Sequence, residues 1–193
     1  MAFWAGVSGV LLWIWGLFVA WLSIFVSPLK NLDMLWIIVP IWLSWFFAEF
    51  FQEKKGTSLG NAISNGGIMI WVGIDWTRYL VRLLSDGTMK FGWLASAKFL
   101  FAVAATVIGL LIVIQGIRQK PFIHFAGRIR VVTYMLLMFS PVVYGVLPLT
   151  WNVVLAMVVF FPAFYYLIEL IDYYAPTPKA YEEKTEQSSK LLK

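Results

Sequence analysis

This chain of 193 residues is 61% hydrophobic and only 13% charged; ordinary soluble domains run at roughly a half and a quarter, so a water-soluble fold could not hide its apolar surface. The net charge of +5 comes without the soluble basic surface that nucleic-acid binding needs, and none is inferred. The absence of cysteine excludes disulfides, thiolate metal centres and thiol nucleophiles.

Six apolar stretches follow one another, at residues 3–26, 33–51, 61–84, 93–117, 125–146 and 149–171. Each meets the length of about 20 residues that a helix needs to cross a bilayer, and short breaks rich in Pro, Gly and Asn separate them. The expected fold is all-α: a polytopic integral membrane protein, a bundle of six transmembrane helices over residues 1–174, with a polar cytoplasmic tail at 175–193. Pro176 and Pro178 end the last helix, and the tail beyond them mixes both charge signs.

The first stretch has no basic region before Phe3, outruns the apolar core of a secretory signal and lacks a small-residue cleavage pattern, so it reads as a retained helix. Its Gly6-Val7-Ser8-Gly9 string resembles a serine-nucleophile motif only in letters. Ser8 sits in the first turns of a helix, and the single histidine, His124, falls in a distant break. One histidine also excludes bis-histidine haem ligation, and no metal or cofactor is expected.

An even number of crossings places both termini on one side, together with the breaks at 53–60 and 118–124. That side carries Lys54, Lys55, Arg118, Lys120, Arg128, Arg130 and the four lysines of the tail, against Lys30 and Lys90 opposite. The positive-inside rule makes it the cytoplasmic side of a plasma (inner) membrane. Trp21, Trp36, Trp93 and Trp151 then fall at the outer helix ends, as an aromatic belt would. Trp13, Trp15, Trp42, Trp45 and Trp71 fall near mid-membrane, where aromatic core packing is expected in preference to a cleft for a flat ligand.

Two constellations carry the polar chemistry. On the third stretch Asn61, Ser64, Asp75 and Arg82 share one helical face, with Asn65 and Arg78 flanking it. A charge in hydrocarbon costs at least ~2.5 kcal/mol, so this stripe is expected to turn inward and make the third helix central. Asp75 is expected to pair with Lys98 of the fourth stretch or with Arg78 one turn on, and Arg82 to snorkel outward or meet Asp86. The second constellation gathers Glu49, Glu53, Arg128, Arg130, Glu169 and Asp172 near the cytoplasmic boundary, where an interfacial ring of ion pairs is expected in preference to catalysis or cation binding.

The small, polar run at 56–67 matches neither a phosphate-binding loop nor a dinucleotide fingerprint. It is expected to give a close-packing helix face through Gly56, Gly60 and Ser64. Pro141 and Pro162 should kink the fifth and sixth helices. The expected function is that of a non-enzymatic integral membrane protein, a structural or accessory subunit of a membrane complex; the alternative is a small-solute or ion transporter or channel using the stripe, with Asp75, Arg78 and Lys98 as its working groups. Expected partners are membrane lipids and other membrane subunits or a second copy of the chain.

Overall fold

The computed structural model describes residues 2–53 and 56–176, with the backbone alone at 2–6. Lys54, Lys55 and nearly all of the polar tail therefore lie outside the described residues. The described chain is all helical: α1 (Ala2–Val26), a 3-10 turn (Ser27–Lys30), α2 (Leu32–Phe51), α3 (Leu59–Ser85), α4 (Trp93–Ile117), α5 (Ile123–Ala126), α6 (Ile129–Val143), α7 (Trp151–Val159) and α8 (Phe161–Tyr174).

Local chemistry explains the boundaries. Pro28 lies within the 3-10 turn after α1, and Asn31 then starts α2 by accepting a hydrogen bond from the Asp33 N–H at 3.0 Å. Ser58 caps α3 through the Asn61 N–H (3.1 Å), and Thr150 caps α7 through the Val153 N–H (3.4 Å). Gly87 and Gly145 follow α3 and α6 with φ of 69° and 74°, a conformation glycine reaches without strain.

Four segments are long and apolar enough to cross a membrane: Val7–Lys30, Leu32–Phe51, Trp93–Ile117 and Trp151–Tyr174. The last comprises α7 and α8, which break at Phe160, just ahead of Pro162; the missing proline N–H costs the helix one hydrogen bond there. The expected count of six thus falls to four by length and composition. In the third stretch, Asp75, Arg78 and Arg82 dilute the hydropathy of a helix that has length to spare. The fifth is cut to 15 residues in α6, about 22 Å, because Arg128 is extended at its start and the Gly145 turn ends it.

The third helix is not the centre of the bundle. That place belongs to α6, which is buried at thirteen of its 15 positions and packs against α1, α2, α3, α4 and α8. A mostly apolar helix whose one charge, Arg130, is paired inside the protein suits such a place. Between α1, α6 and the α7–α8 break lies an aromatic core in which Trp21 stacks on Phe160 and Tyr134 meets Phe164, with ring centroids 5.4 and 4.8 Å apart. Tyr134 OH donates to the Met157 carbonyl (2.5 Å) and accepts from Trp21 Nε1 (3.1 Å), satisfying a last-turn carbonyl of α7 and an indole N–H together. Trp21 is therefore a core residue and not a belt residue. Trp36, Trp93 and Trp151 point outward. Of the mid-stretch tryptophans, Trp13, Trp15 and Trp71 also face outward and contribute nothing to the core.

The closest helix pair is α3 on α4. Gly56, Gly60 and Ser64 do not make this contact: Gly56 precedes the helix, Gly60 adjoins only Ser58, and Ser64 is exposed. The approach is made at Gly66 and Gly73 against Gly109 and Ala102–Thr106 of α4, the small-residue packing that lets membrane helices come together. A Cβ at Gly73 would sit 2.2 Å from Thr106 Oγ1 and 2.7 Å from the Ala102 carbonyl, whereas one at Gly67 would meet no atom within 4 Å. Gly73→Ala should therefore destabilise the protein by about 1–3 kcal/mol, the usual cost of overpacking. Gly67→Ala should be neutral or slightly stabilising through helix propensity. Unfolding midpoints of the two variants in detergent, compared with the parent, check the contrast.

Candidate functional site

The polar side chains of the described residues collect at two ends of the bundle. At the first end Arg130, in the opening turn of α6, is fully buried, as is Glu49 of α2. Arg130 Nε donates to Glu49 Oε1 and Oε2 at 3.0 and 3.2 Å, its Nη2 donates again to Oε1, and its Nη1 donates to Glu169 Oε2 of α8. The Tyr165 ring lies under the same guanidinium, 4.8 Å from its centre. Arg128 completes the group by donating to Tyr165 OH (3.1 Å), with Nη2 at 3.9 Å from both glutamates. One planar, five-donor cation thus ties α2, α6 and α8 together.

Glu53 stands beside this group and has a different role. It is fully buried, and among the described residues no cation pairs with it. Its Oε2 accepts from the Ile129 N–H (3.1 Å) and the Thr57 hydroxyl (2.6 Å), and its Oε1 accepts from Asn65 Nδ2 (2.7 Å). The carboxylate therefore sits at the start of α6, where unpaired N–H groups and the helix dipole favour an anion. Asn65 also donates to the Gly127 carbonyl (2.8 Å), and His124 Nδ1 meets the Thr57 carbonyl at 2.6 Å. Through these contacts the 53–58 connection, α3, α5 and α6 share one network. Asp172 is buried near this end.

At the other end Asp75 of α3 is buried and accepts from Arg78 Nη2 (2.7 Å) and from Tyr144 OH (2.8 Å), which comes from the end of α6. Tyr79 stacks on Tyr144 with centroids 4.3 Å apart. Arg82 reaches Asp33 at the start of α2 (3.1 Å), not Asp86, and lies over the Tyr79 ring. Lys98 does not approach Asp75. It is buried, its Nζ ends beside Gly145 in the turn after α6, and among the described residues it has neither an ion-pair nor a hydrogen-bond partner.

The third-helix stripe therefore divides. Asn65, Asp75 and Lys98 are buried and Asn61 is half-buried; Ser64, Arg78 and Arg82 are exposed. The inward-facing stripe expected from the helical wheel is corrected on this point, and the reason lies in α4. The glycine side of α3 is committed to that helix, so a 27-residue helix cannot also turn its whole polar face to the centre. Periodicity alone missed the residues that complete both clusters, Thr57, Tyr144, Tyr165 and Asp33. The tyrosines left one usable signal: a phenol within an apolar stretch needs a partner for its hydroxyl when buried.

Between the clusters the interior is apolar. Asn65 and Asp75 are ten residues apart, about 15 Å along α3, and Met69, Val72, Ile41, Leu136 and Leu137 fill the core around that interval. Thr133 in the same stretch of α6 has no partner among the described residues, and Ser140 donates to its own helix at Leu136. Among the described residues no three His, Asp or Glu side chains are grouped to hold a metal ion, and the two hydroxyls held against carboxylates, Thr57 on Glu53 and Tyr144 on Asp75, are buried inside the clusters. The geometry suits clamping helices together. Comparison with family models, curated proteins and solved structures finds no match to this chain.

Removing one member of the buried pair strands the other. Glu49→Leu should destabilise the protein by about 3 kcal/mol or more, while Glu49→Leu with Arg130→Leu should recover a substantial part of that loss. The half-exposed Glu169 carboxylate can rehydrate when its partner is removed. A double-mutant cycle on unfolding midpoints reads the coupling; additive effects of the two substitutions would contradict the clamp.

Proposed function

We propose that this chain is a non-enzymatic, multi-pass protein of the plasma membrane that serves as a structural or accessory subunit of a membrane assembly. The observation that carries this reading is that Glu49, Glu53 and Asp75 are each engaged within their own cluster, with an apolar interval of about 15 Å between the two clusters. A proton or ion relay needs acids and bases in line across the hydrocarbon, and here the acids are used in ion pairs and helix capping. Broad apolar faces support the same reading: Leu11, Leu12, Trp13 and Trp15 on α1 and Phe46, Phe47 and Phe51 on α2 are exposed, surfaces suited to lipid and to other membrane helices or a second copy of the chain.

In the proposed topology the four apolar segments are joined by α3, which has the length to cross, and by α6, which crosses inside protein and so needs less length and no lipid-facing belt. Six crossings then put both termini on the cytoplasmic side. Arg128 and Arg130 are consumed inside the protein, which leaves two loop cations on each side among the described residues, Arg118 and Lys120 against Lys30 and Lys90, so the charge bias rests on Lys54, Lys55 and the four tail lysines of the sequence.

Because the chain has no cysteine, single cysteines report topology without background. Cysteines placed at Gln52, Lys90, Lys120 and Pro148, which flank α3, α4 and α6 in turn, should react with an impermeant maleimide from alternating faces of the membrane; labelling of Gln52 and Lys90, or of Lys120 and Pro148, from the same face would remove the six-crossing arrangement. Protein tagged at its native level and extracted in mild detergent should bring down a membrane partner at fixed stoichiometry. Repeated recovery of a lone chain, or ion flux in liposomes abolished by Asp75→Asn, would favour the transporter instead.

A further inference from the structure

Arg78 is placed unlike the other charges of the bundle. It lies seven residues before the end of α3, about 10 Å inside it, yet its side chain is 73% exposed while its partner Asp75 is 7% exposed. The pair therefore keeps its negative end inside the protein and turns its positive end outward. Only one guanidinium nitrogen, Nη2, is occupied by the carboxylate, and a guanidinium has donors left over for a second acceptor. With α3 crossing the bilayer as proposed, this depth falls at the edge of the hydrocarbon, where an outward-facing cation calls for an anionic group to meet it.

The surroundings of Arg78 add a shape to that requirement. It lines a cavity of about 360 Å³ at the α2–α3 mouth, with Trp36, Tyr79, Arg82 and the Asp33 carboxylate that pairs with Arg82, and also an apolar groove of about 460 Å³ between α3 and α4, bounded by Ile74, Val103 and Val107. A third space of about 320 Å³ continues the α2–α3 seam deeper, past Ile41, Ile68 and Trp71. One cation thus stands at the head of two apolar seams that run into the hydrocarbon on either side of a single helix.

We propose that this is a binding site for one anionic glycerophospholipid of the adjoining leaflet, its phosphate on Arg78 and Arg82 and its two acyl chains astride α3, one in each seam. The charge balance of the lining selects the lipid: Arg78 and Arg82 stand against the single carboxylate of Asp33, and an anionic headgroup offsets the remaining positive charge without bringing the ammonium of a phosphatidylcholine. Phosphate and guanidinium match in geometry as two-point partners. The site requires only that these helices lie in a bilayer and is independent of the subunit role.

The test is native mass spectrometry of the detergent-purified chain mixed with equal amounts of phosphatidylglycerol and phosphatidylcholine. The parent protein should retain one phosphatidylglycerol in preference, and Arg78→Gln should lower that retention about tenfold, the worth of a charged hydrogen bond. Excess inorganic phosphate should leave the lipid bound. Since Arg78→Gln also strips Asp75 of a partner, Val107→Trp, which fills the α3–α4 seam without touching the ion pair, should reduce retention several-fold at an unchanged melting temperature. Equal retention of the two lipids by the parent, displacement by inorganic phosphate, or retention unaffected in either folded variant would overturn the site.

Discussion

A guanidinium that water cannot reach has to be neutralised and hydrogen-bonded where it stands, and Arg130 meets that condition only if α2, α6 and α8 are all in place. Glu49 supplies one carboxylate from the end of α2, Glu169 another from α8, and Tyr165 a ring face. Acyl chains offer no substitute for any of them. An ion pair of this kind is weak evidence for net stability, because desolvation offsets the attraction. Its force lies in specificity: a register shift of any of the three helices would leave a bare charge in an apolar interior. Glu53 extends the same constraint to the start of α6, where it replaces the water that would otherwise satisfy the first N–H groups.

The remaining helices are placed by shape. Between membrane helices there is little hydrophobic gain to be had, since lipid tails are as apolar as leucine, and close approach with good packing takes over. The α3–α4 pair shows this in its glycines, where added methyl groups would strike backbone atoms. The α1–α6–α7 region shows the other solution, large rings interleaved, with Tyr134 using its hydroxyl to absorb the polar atoms that a broken helix and a buried indole leave behind. Neither arrangement leaves a polar route from one ionic cluster to the other.

Most helices were legible in the amino-acid sequence, because spans announce themselves by length and several ends by breaks such as Asn31 and Ser85–Gly87, whereas the stretch read as one helix over 125–146 starts only at Ile129 and stops before the Gly145 turn. Their arrangement was not, and the reason is physical. In water an apolar face marks the inside, but in a membrane the core and the lipid are equally apolar, so the Val131–Val143 portion of α6, whose few polar groups are hydroxyls, looks the same whether it is central or peripheral. It proved central, while α3, whose polar stripe suggested an interior position, lies beside it. Local pairs were readable, as with Asp75 and Arg78 three residues apart. Partners far apart in sequence, such as Asp33 for Arg82 and Tyr144 for Asp75, depend on how α2 and α6 dock and left no periodic trace.

The two ends of the bundle also treat the same side chain in opposite ways. At one, arginines are drawn inward, each guanidinium facing carboxylates and a tyrosine from other helices. At the other, Arg78 leans away from its buried carboxylate toward the apolar surround, and Arg82 and Asp33 pair in the open. A group that is internally satisfied holds the fold and has no capacity left for a ligand. One that is satisfied on a single nitrogen, at the junction of two seams, retains it. Lys98 and the Nε of Arg128 also lack an acceptor among the described residues, but both are enclosed by protein; the spare donors of Arg78 face outward from α3, and that asymmetry separates the parts that hold the helices together from the part that is left to meet the membrane.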